Sequence, residues 1–427
     1  MKLKGEHFRG LDLASLLIYY AGLTIVNFLV LIFQNAYYGR DTIHNLIWYS
    51  SDFPVIGLTV IPQSFGNHFF GDFLHVITAA TRELGDTPYY PYLPSSLIVG
   101  EFFSWFPYTF AVGLYFIAFF PLYFLPVYLL REVLNSAGKL LISIFLIFNI
   151  GTLYLFDRGN IQLVVSACLS AFIFFYAKEK HITASVFLGV AASIKLWPIL
   201  FIWPLLMVKK WRPIIWFSTT VLSLNILPLL IFDTSGSSKI QYIREQFNQM
   251  ISFGSIESGL WHAGGKNSSL TSLLYSVSEF TPFQEPFNFL LENFLVIQIL
   301  GLLTMAIGLM GNRLSPSENF ILIALFVLLF PSAQYGYSAS ILIPIIVFHF
   351  YEKSRSIIKR VDGLTFDIKT LLLMLALIPV SYVLPIEQSS VQWIIDVNTF
   401  LTPTLLLMAY IGYFHKSVFG DRDKLPR

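Results

Sequence analysis

Twelve apolar runs, most of them bounded by charged residues or by Gly and Pro, divide this 427-residue chain, and no soluble core can absorb them. They are Leu13–Phe33, Thr109–Leu130, Leu140–Phe156, Ile161–Tyr176, Ile182–Ile194, Trp197–Val208, Pro213–Phe232, Phe294–Met310, Phe320–Phe330, Ile341–Tyr351, Leu371–Leu384 and Leu401–Phe414. A straight helix needs about 20 apolar residues to cross the roughly 30 Å hydrocarbon layer. Several runs are shorter, so they borrow polar flanks or form broken helices. Charged residues are only 12% of the chain, against about 25% in a soluble domain. These features predict an all-α integral membrane protein: one transmembrane domain over residues 1–427, polytopic, with about twelve spans.

The first run, Leu13–Phe33, is too long for a signal-peptide core and no small-residue cleavage site follows closely, so it reads as a retained helix. A net charge of +2 gives no reason to expect a nucleic-acid partner. The single cysteine, Cys168, excludes an intramolecular disulfide.

Charge placement orients the chain. The stretch Ile182 to Val208 is long for one helix and is interrupted by Lys195 and Pro198. Read as one span, it separates Lys178 and Lys180 from Lys209, Lys210 and Arg212. Read as two short helices meeting at Lys195, it puts both clusters on one side. The split leaves only Arg40, Arg82, Arg158, Lys195, Lys239, Arg244 and Lys266 of the 27 Lys and Arg on the opposite side. The positive-inside rule then makes both termini cytoplasmic. Two long outer segments result: Gln34 to Tyr108 (residues 34–108) and Asp233 to about Glu292 (residues 233–292). Long loops of this kind are usually functional. Within the first, Phe73 to Glu83 has apolar residues at helical spacing, which predicts an amphipathic helix on the outer interface.

The candidates for chemistry all fall on the outer side. Asp72 sits among aromatics in Phe69-Phe70-Gly71-Asp72-Phe73; partial desolvation there would raise its basicity and suit a general base, although an N-cap uses the same residue. Arg158, in Asp157-Arg158-Gly159-Asn160, and Lys195, at the tip of the split pair, are cations at membrane depth. They suit a lipid phosphate, the alternatives being local pairing and snorkelling. In Trp261 to Leu270, Trp261 can stack on a sugar ring, while Lys266, Asn267, Ser268 and Ser269 supply hydrogen-bond donors; an ordinary polar loop has the same composition. His68 and His262 lack partners at metal-ligand spacing, so no metal site is expected.

In order and in side, these stretches resemble the GT-C glycosyltransferases, in particular the polyprenol-phosphate-mannose-dependent DUF2029, or glycosyltransferase 87, family. The resemblance lies in Gly71-Asp72-Phe73 with Gly85 and Pro88-Tyr89, and in Tyr90-Pro91-Tyr92-Leu93-Pro94. It continues in Arg158-Gly159-Asn160-Ile161-Gln162 and in the run from Ala184 through Gly189, Lys195 and Pro198 to Lys209-Lys210-Trp211-Arg212. Asn267-Ser268-Ser269-Leu270 adds a weaker match. Asn160 and Gln162 have their amides exchanged relative to the family's Gly-Gln-x-Asn element, and the lone Asp72, without a second acid, argues against metal dependence.

The resemblance implies a GT-C helical bundle in the cell membrane, with its active site on the extracytoplasmic side and no cofactor. A hexose, by default mannose, would pass with inversion from a polyprenyl-phosphate donor to a hydroxyl of a glycan or glycolipid acceptor. Asp72 would be the base. Arg158, Lys195, Lys266, Asn160, Asn267, Trp261, His262, Tyr89, Tyr90 and His68 would contact substrate or lipid phosphate. The rival readings are a secondary transporter, which also uses broken helices, and a lipid-linked polysaccharide ligase or polymerase.

Overall fold

A computed structural model of the protein describes residues 92–131, 136–147, 160–207, 209–231, 239–253, 269–280, 284–311, 313–331, 336–357, 368–377, 383–386 and 393–420, with isolated positions at 18, 22, 25, 73, 76, 77, 149, 151, 152 and 155. The described residues are mainly helical. In chain order the first helices are α1 (Ser95–Ser104), α2 (Tyr108–Tyr123), α3 (Ser136–Ile147), α4 (Gln162–Ala177), α5 (His181–Ile194), α6 (Trp203–Met207) and α7 (Trp211–Ile231). There follow α8 (Lys239–Phe253), α9 (Leu270–Phe280), α10 (Gln284–Glu292), α11 (Phe294–Met310), α12 (Pro316–Leu329), α13 (Leu342–Ile357), α14 (Ile368–Ala376) and α15 (Val397–Phe419). Tight 3-10 segments at Leu125–Leu130, Trp197–Ile202 and Gly336–Ile341 lie between them.

Among the described residues, two helical stretches are long and apolar enough to cross a bilayer, Thr109–Leu130 and Trp211–Ile231. A third is available if α10 and α11, which meet at 71°, form one bent span. Their exposure pattern is that of a membrane protein. Along α7, Ile215, Trp216, Leu222, Ile226, Leu230 and Ile231 all point outward and are exposed, Leu230 by 70%. Water would penalise such a continuous apolar face, whereas lipid tails accept it.

The core holds the opposite kind of helix. Every side chain of α4 from Gln162 to Ile173 is buried, and α12 is buried almost throughout. Phe320 of α12 is the hub, with its ring centroid 5.5 Å from Phe172, 5.2 Å from Tyr176, 5.9 Å from Phe201 and 6.0 Å from Phe348. One residue thereby joins α4, the Trp197 segment, α12 and α13. Around this core, α5 lies between α4 and α7. Gly189 makes the α5–α7 approach close: a Cβ there would lie 2.8 Å from Cβ of Thr220 and 3.1 Å from the Phe217 carbonyl. Small residues at such crossings let helices approach without a polar seam.

Two expectations change. The run Leu371–Leu384 is not one helix: α14 stops at Ala376, and Val383–Ile386 is a strand paired antiparallel with Trp393–Asp396, Val383 opposite Asp396. The sequence carries Pro379 three residues further on, a residue that cannot continue a helix. Within the segment 233–292, the described residues form α8, α9 and α10. Finally, the Phe320 run starts late. The helix begins at Pro316, where Ser315 and Glu318 form a capping box and start the turn before any apolar residue.

The split at Lys195 is where sequence and structure agree most closely. Lys195 is extended (φ −133°, ψ 142°) and ends α5, and the Trp197 and Trp203 segments then run back. The turns after α4 and after α6 line one open cleft of about 440 Å³ that includes Lys180, Lys210 and Arg212.

Candidate functional site

The other end of α4 and α5 gathers the residues with chemistry. Two tethers hold the Tyr92-Leu93-Pro94 turn against the end of α5. The Leu93 N–H donates to the Ile194 carbonyl (3.4 Å), and the Ser95 hydroxyl donates to the Ser193 carbonyl. Tyr92 is thereby placed between two segments that are far apart in sequence. The Lys195 ammonium lies 5.5 Å from its ring centroid, within cation–π range. Its hydroxyl accepts from Asn160 Nδ2 at 3.4 Å.

Asn160 is 1% exposed, and its side-chain oxygen accepts from the Gln162 N–H at 2.8 Å, closing the turn that starts α4. Its carbonyl accepts from the Tyr115 hydroxyl (2.8 Å). A buried polar group bonded on this many sides is fixed in place. Gln162 extends the network: its Nε2 donates to the Ser166 hydroxyl at 3.2 Å, which meets the Ser340 hydroxyl at 2.8 Å, while Gln162 Oε1 is buried with no donor. Gly151 allows the Ser340 backbone to come this close, because a Cβ there would sit 2.3 Å from the Ser340 nitrogen.

The first long segment reaches the same place through Phe73. This residue is helical and buried, 4.6 Å from the Tyr115 ring and 5.4 Å from that of Phe103. Val76 and Ile77 are helical too. Phe73 is bonded to Asp72 in the chain, and Tyr115 is bonded through hydrogen to Asn160.

Of the candidates, the structure brings Asn160 and Lys195 together across Tyr92. It engages Asn160 inside the protein and leaves Lys195 partly open. Asp72, Arg158, Lys266, Asn267, Trp261, His262, Tyr89, Tyr90 and His68 lie outside the described residues. The sequence marks Tyr92 only as part of the Tyr90 to Pro94 resemblance, without a role of its own, and does not single out Tyr115 or Ser340. Tyr115 did leave a trace: it and Tyr123 are the two hydroxyl-bearing rings in the Phe-rich run Phe110 to Phe124, and both hydroxyls are hydrogen-bonded in the core. Ser340 left none, since its role depends on a contact 174 residues away. Among the described residues no group of three or more His, Cys, Asp or Glu could hold a metal ion.

Chemically, the cluster offers one ammonium and a phenol hydroxyl beside the first turn of α4. A helix N-terminus carries partial positive charge, so all of these favour an anion. The glycosyltransferase family 87 model matches residues 90–332, a stretch that contains Tyr92, Tyr115, Asn160 and Lys195 and begins after Asp72. No curated protein and no solved structure matches the chain. The match spans more than half of the chain, on a helical scaffold built for a bilayer, and the chain belongs to glycosyltransferase family 87.

Proposed function

We propose that the protein is a multi-pass membrane hexosyltransferase acting at the Lys195 end of α4 and α5, with a polyprenyl-phosphate sugar, mannose first, as donor. Family membership favours a transferase over the secondary transporter and over the ligase or polymerase reading. The observation that carries the proposal is the convergence of Lys195, Tyr92 and Asn160 with Phe73, the neighbour of Asp72 in the chain.

The chemistry follows from those residues. Asp72 takes the proton of an acceptor hydroxyl as its oxygen attacks the anomeric carbon from the face opposite the phosphate. The bond from that carbon to the phosphate oxygen breaks, and the lipid monophosphate leaves with the electron pair. Negative charge grows on the leaving oxygen, and a preorganised cation is what stabilises it. Lys195 fills that role, with Arg158 and Lys266 as further candidates. Asn160 acts as a positioning residue, since its polar atoms hold Tyr92 and the α4 turn. The extracytoplasmic side follows from the positive-inside argument, because the Lys195 end is opposite the basic turns.

The test is transfer of radiolabelled mannose from synthetic polyprenyl-phosphate mannose by the purified chain in nanodiscs, with membrane glycolipids as acceptors. Asp72→Asn should lower turnover by at least 10³-fold while leaving expression and thermal unfolding unchanged. Wild-type turnover in that variant would remove Asp72 as the base. A chain that moves mannose across the membrane without forming a glycosidic product would overturn the whole reading.

A further inference from the structure

The cleft at the basic end has its own construction. Helix α4 and helix α6 stop in the same way. Glu179 (φ 59°) and Lys209 (φ 51°) take left-handed conformations that non-glycine residues resist. After each, the next N–H reaches back five residues, Lys180 to the Phe175 carbonyl (2.9 Å) and Lys210 to the Leu205 carbonyl (3.3 Å). The Glu179 and Lys209 N–H groups bond to Tyr176 and Leu206, both at 2.9 Å, completing two Schellman caps. Such caps usually place glycine at the left-handed position and an apolar residue after it. Here both put a lysine after it, and both lysines line the same cleft with His181 and Arg212. Lys210 is near enough to act electrostatically on His181, so the two turns form one charged surface. Glu179 is the only carboxylate on the lining. The helix α5 that starts here has no side-chain cap on its first N–H groups.

We propose that this cleft binds the phosphate of an anionic membrane phospholipid. Convergence of Lys180, Lys210 and Arg212 on about 440 Å³ supplies the charge, and Arg212 brings the planar donor set suited to phosphate oxygens. The surroundings select a lipid over a soluble ion. Trp211 and Ile182 line the cleft and are exposed, and Trp211 begins α7, whose outward face turns apolar one turn later at Ile215 and Trp216. A phosphate held by the cations would therefore leave its acyl chains along α7, with Trp211 at the headgroup level. The proposal is independent of the transfer chemistry at the opposite end.

Native mass spectrometry of the full chain in detergent tests it, reading retained lipid as dioleoyl phosphatidylglycerol or dioleoyl phosphatidylcholine is titrated in. One phosphatidylglycerol should be retained in preference to phosphatidylcholine. Lys180→Gln, Lys210→Gln and Arg212→Gln should each weaken that retention roughly fivefold. Glu179→Gln should strengthen it, a gain that no folding defect imitates, and Lys239→Gln, away from the cleft, should leave it unchanged. Equal retention of the two lipids, or indifference to all four cleft variants, would overturn the proposal. So would displacement of phosphatidylglycerol by millimolar inorganic phosphate, which would show a site for a soluble anion.

Discussion

Lys195 contributes charge, and the packing around it contributes placement; substitution separates the two. Replacing Lys195 with Met keeps the apolar stem over Tyr92 and removes the ammonium. Turnover should fall about 10²- to 10³-fold, in line with losing one electrostatic stabiliser of a leaving group, with melting temperature nearly unchanged. Tyr92→Phe keeps the ring beneath the ammonium and removes the acceptor for Asn160. Its effect should be smaller, on the order of tenfold, and visible mainly in KM if the hydroxyl positions the site. Gly189→Val behaves in the reverse way. Its new carbons would press on Thr220 and the Phe217 carbonyl, so stability should drop by about 1–3 kcal/mol in thermal unfolding, with activity lost only as the fold is lost.

At the scale of elements, charge again decides, this time at the basic end. Glu318 of α12 is 1% exposed and pairs with Lys416 of α15, which approaches its Oε1 at 2.5 Å. Next to it, the Glu352 carboxylate of α13 accepts from the Ser315 hydroxyl at 2.6 Å and from the Ser317 hydroxyl, and Ser317 meets His349 Nδ1 at 2.8 Å. Removing one partner of a buried pair leaves the other charge uncompensated. Here Lys416 is 32% exposed and Lys353 lies 4.0 Å from the same carboxylate, so Lys416→Met should cost about 1–3 kcal/mol, and the double variant Lys416→Met with Glu318→Gln should recover much of it, as a thermal double-mutant cycle would show. Nothing in the sequence connects residues 98 apart in this way. What sequence does carry is local. Phe294–Met310 is a helix to the residue because Asn293 and Gly311 bracket a run whose only polar side chains are Gln298 and Thr304. The break at Lys195 was legible because charge placement allowed only one fold-back. The Leu371 run misled, because hydropathy counts Pro379 as a mild residue when its effect is on the backbone. The Schellman turns were illegible for a related reason: without glycine, nothing marks Glu179 or Lys209 as left-handed.

At the scale of the molecule, the same-side arrangement of the basic turns and the opposite placement of Lys195 are open to labelling. In a Cys168→Ser background, Lys180→Cys and Lys210→Cys should react with a membrane-impermeant maleimide from the same side of sealed vesicles. Leu196→Cys, exposed beside Lys195, should react from the other. Labelling of the first two from opposite sides would overturn the fold-back. The helices that connect these ends are short. At 14 residues, α5 rises only about 21 Å, and α4, at 16 residues, about 24 Å, well below the roughly 30 Å that a hydrocarbon layer measures. Both helices lie inside the protein, and α7, which starts beside α5 at the cleft and faces outward, rises about 31 Å over its 21 residues, so Lys195 at the end of α5 is recessed below the far end of α7. A sugar donor would meet the ammonium in a recess of the protein, screened from bulk water by the longer helix beside it.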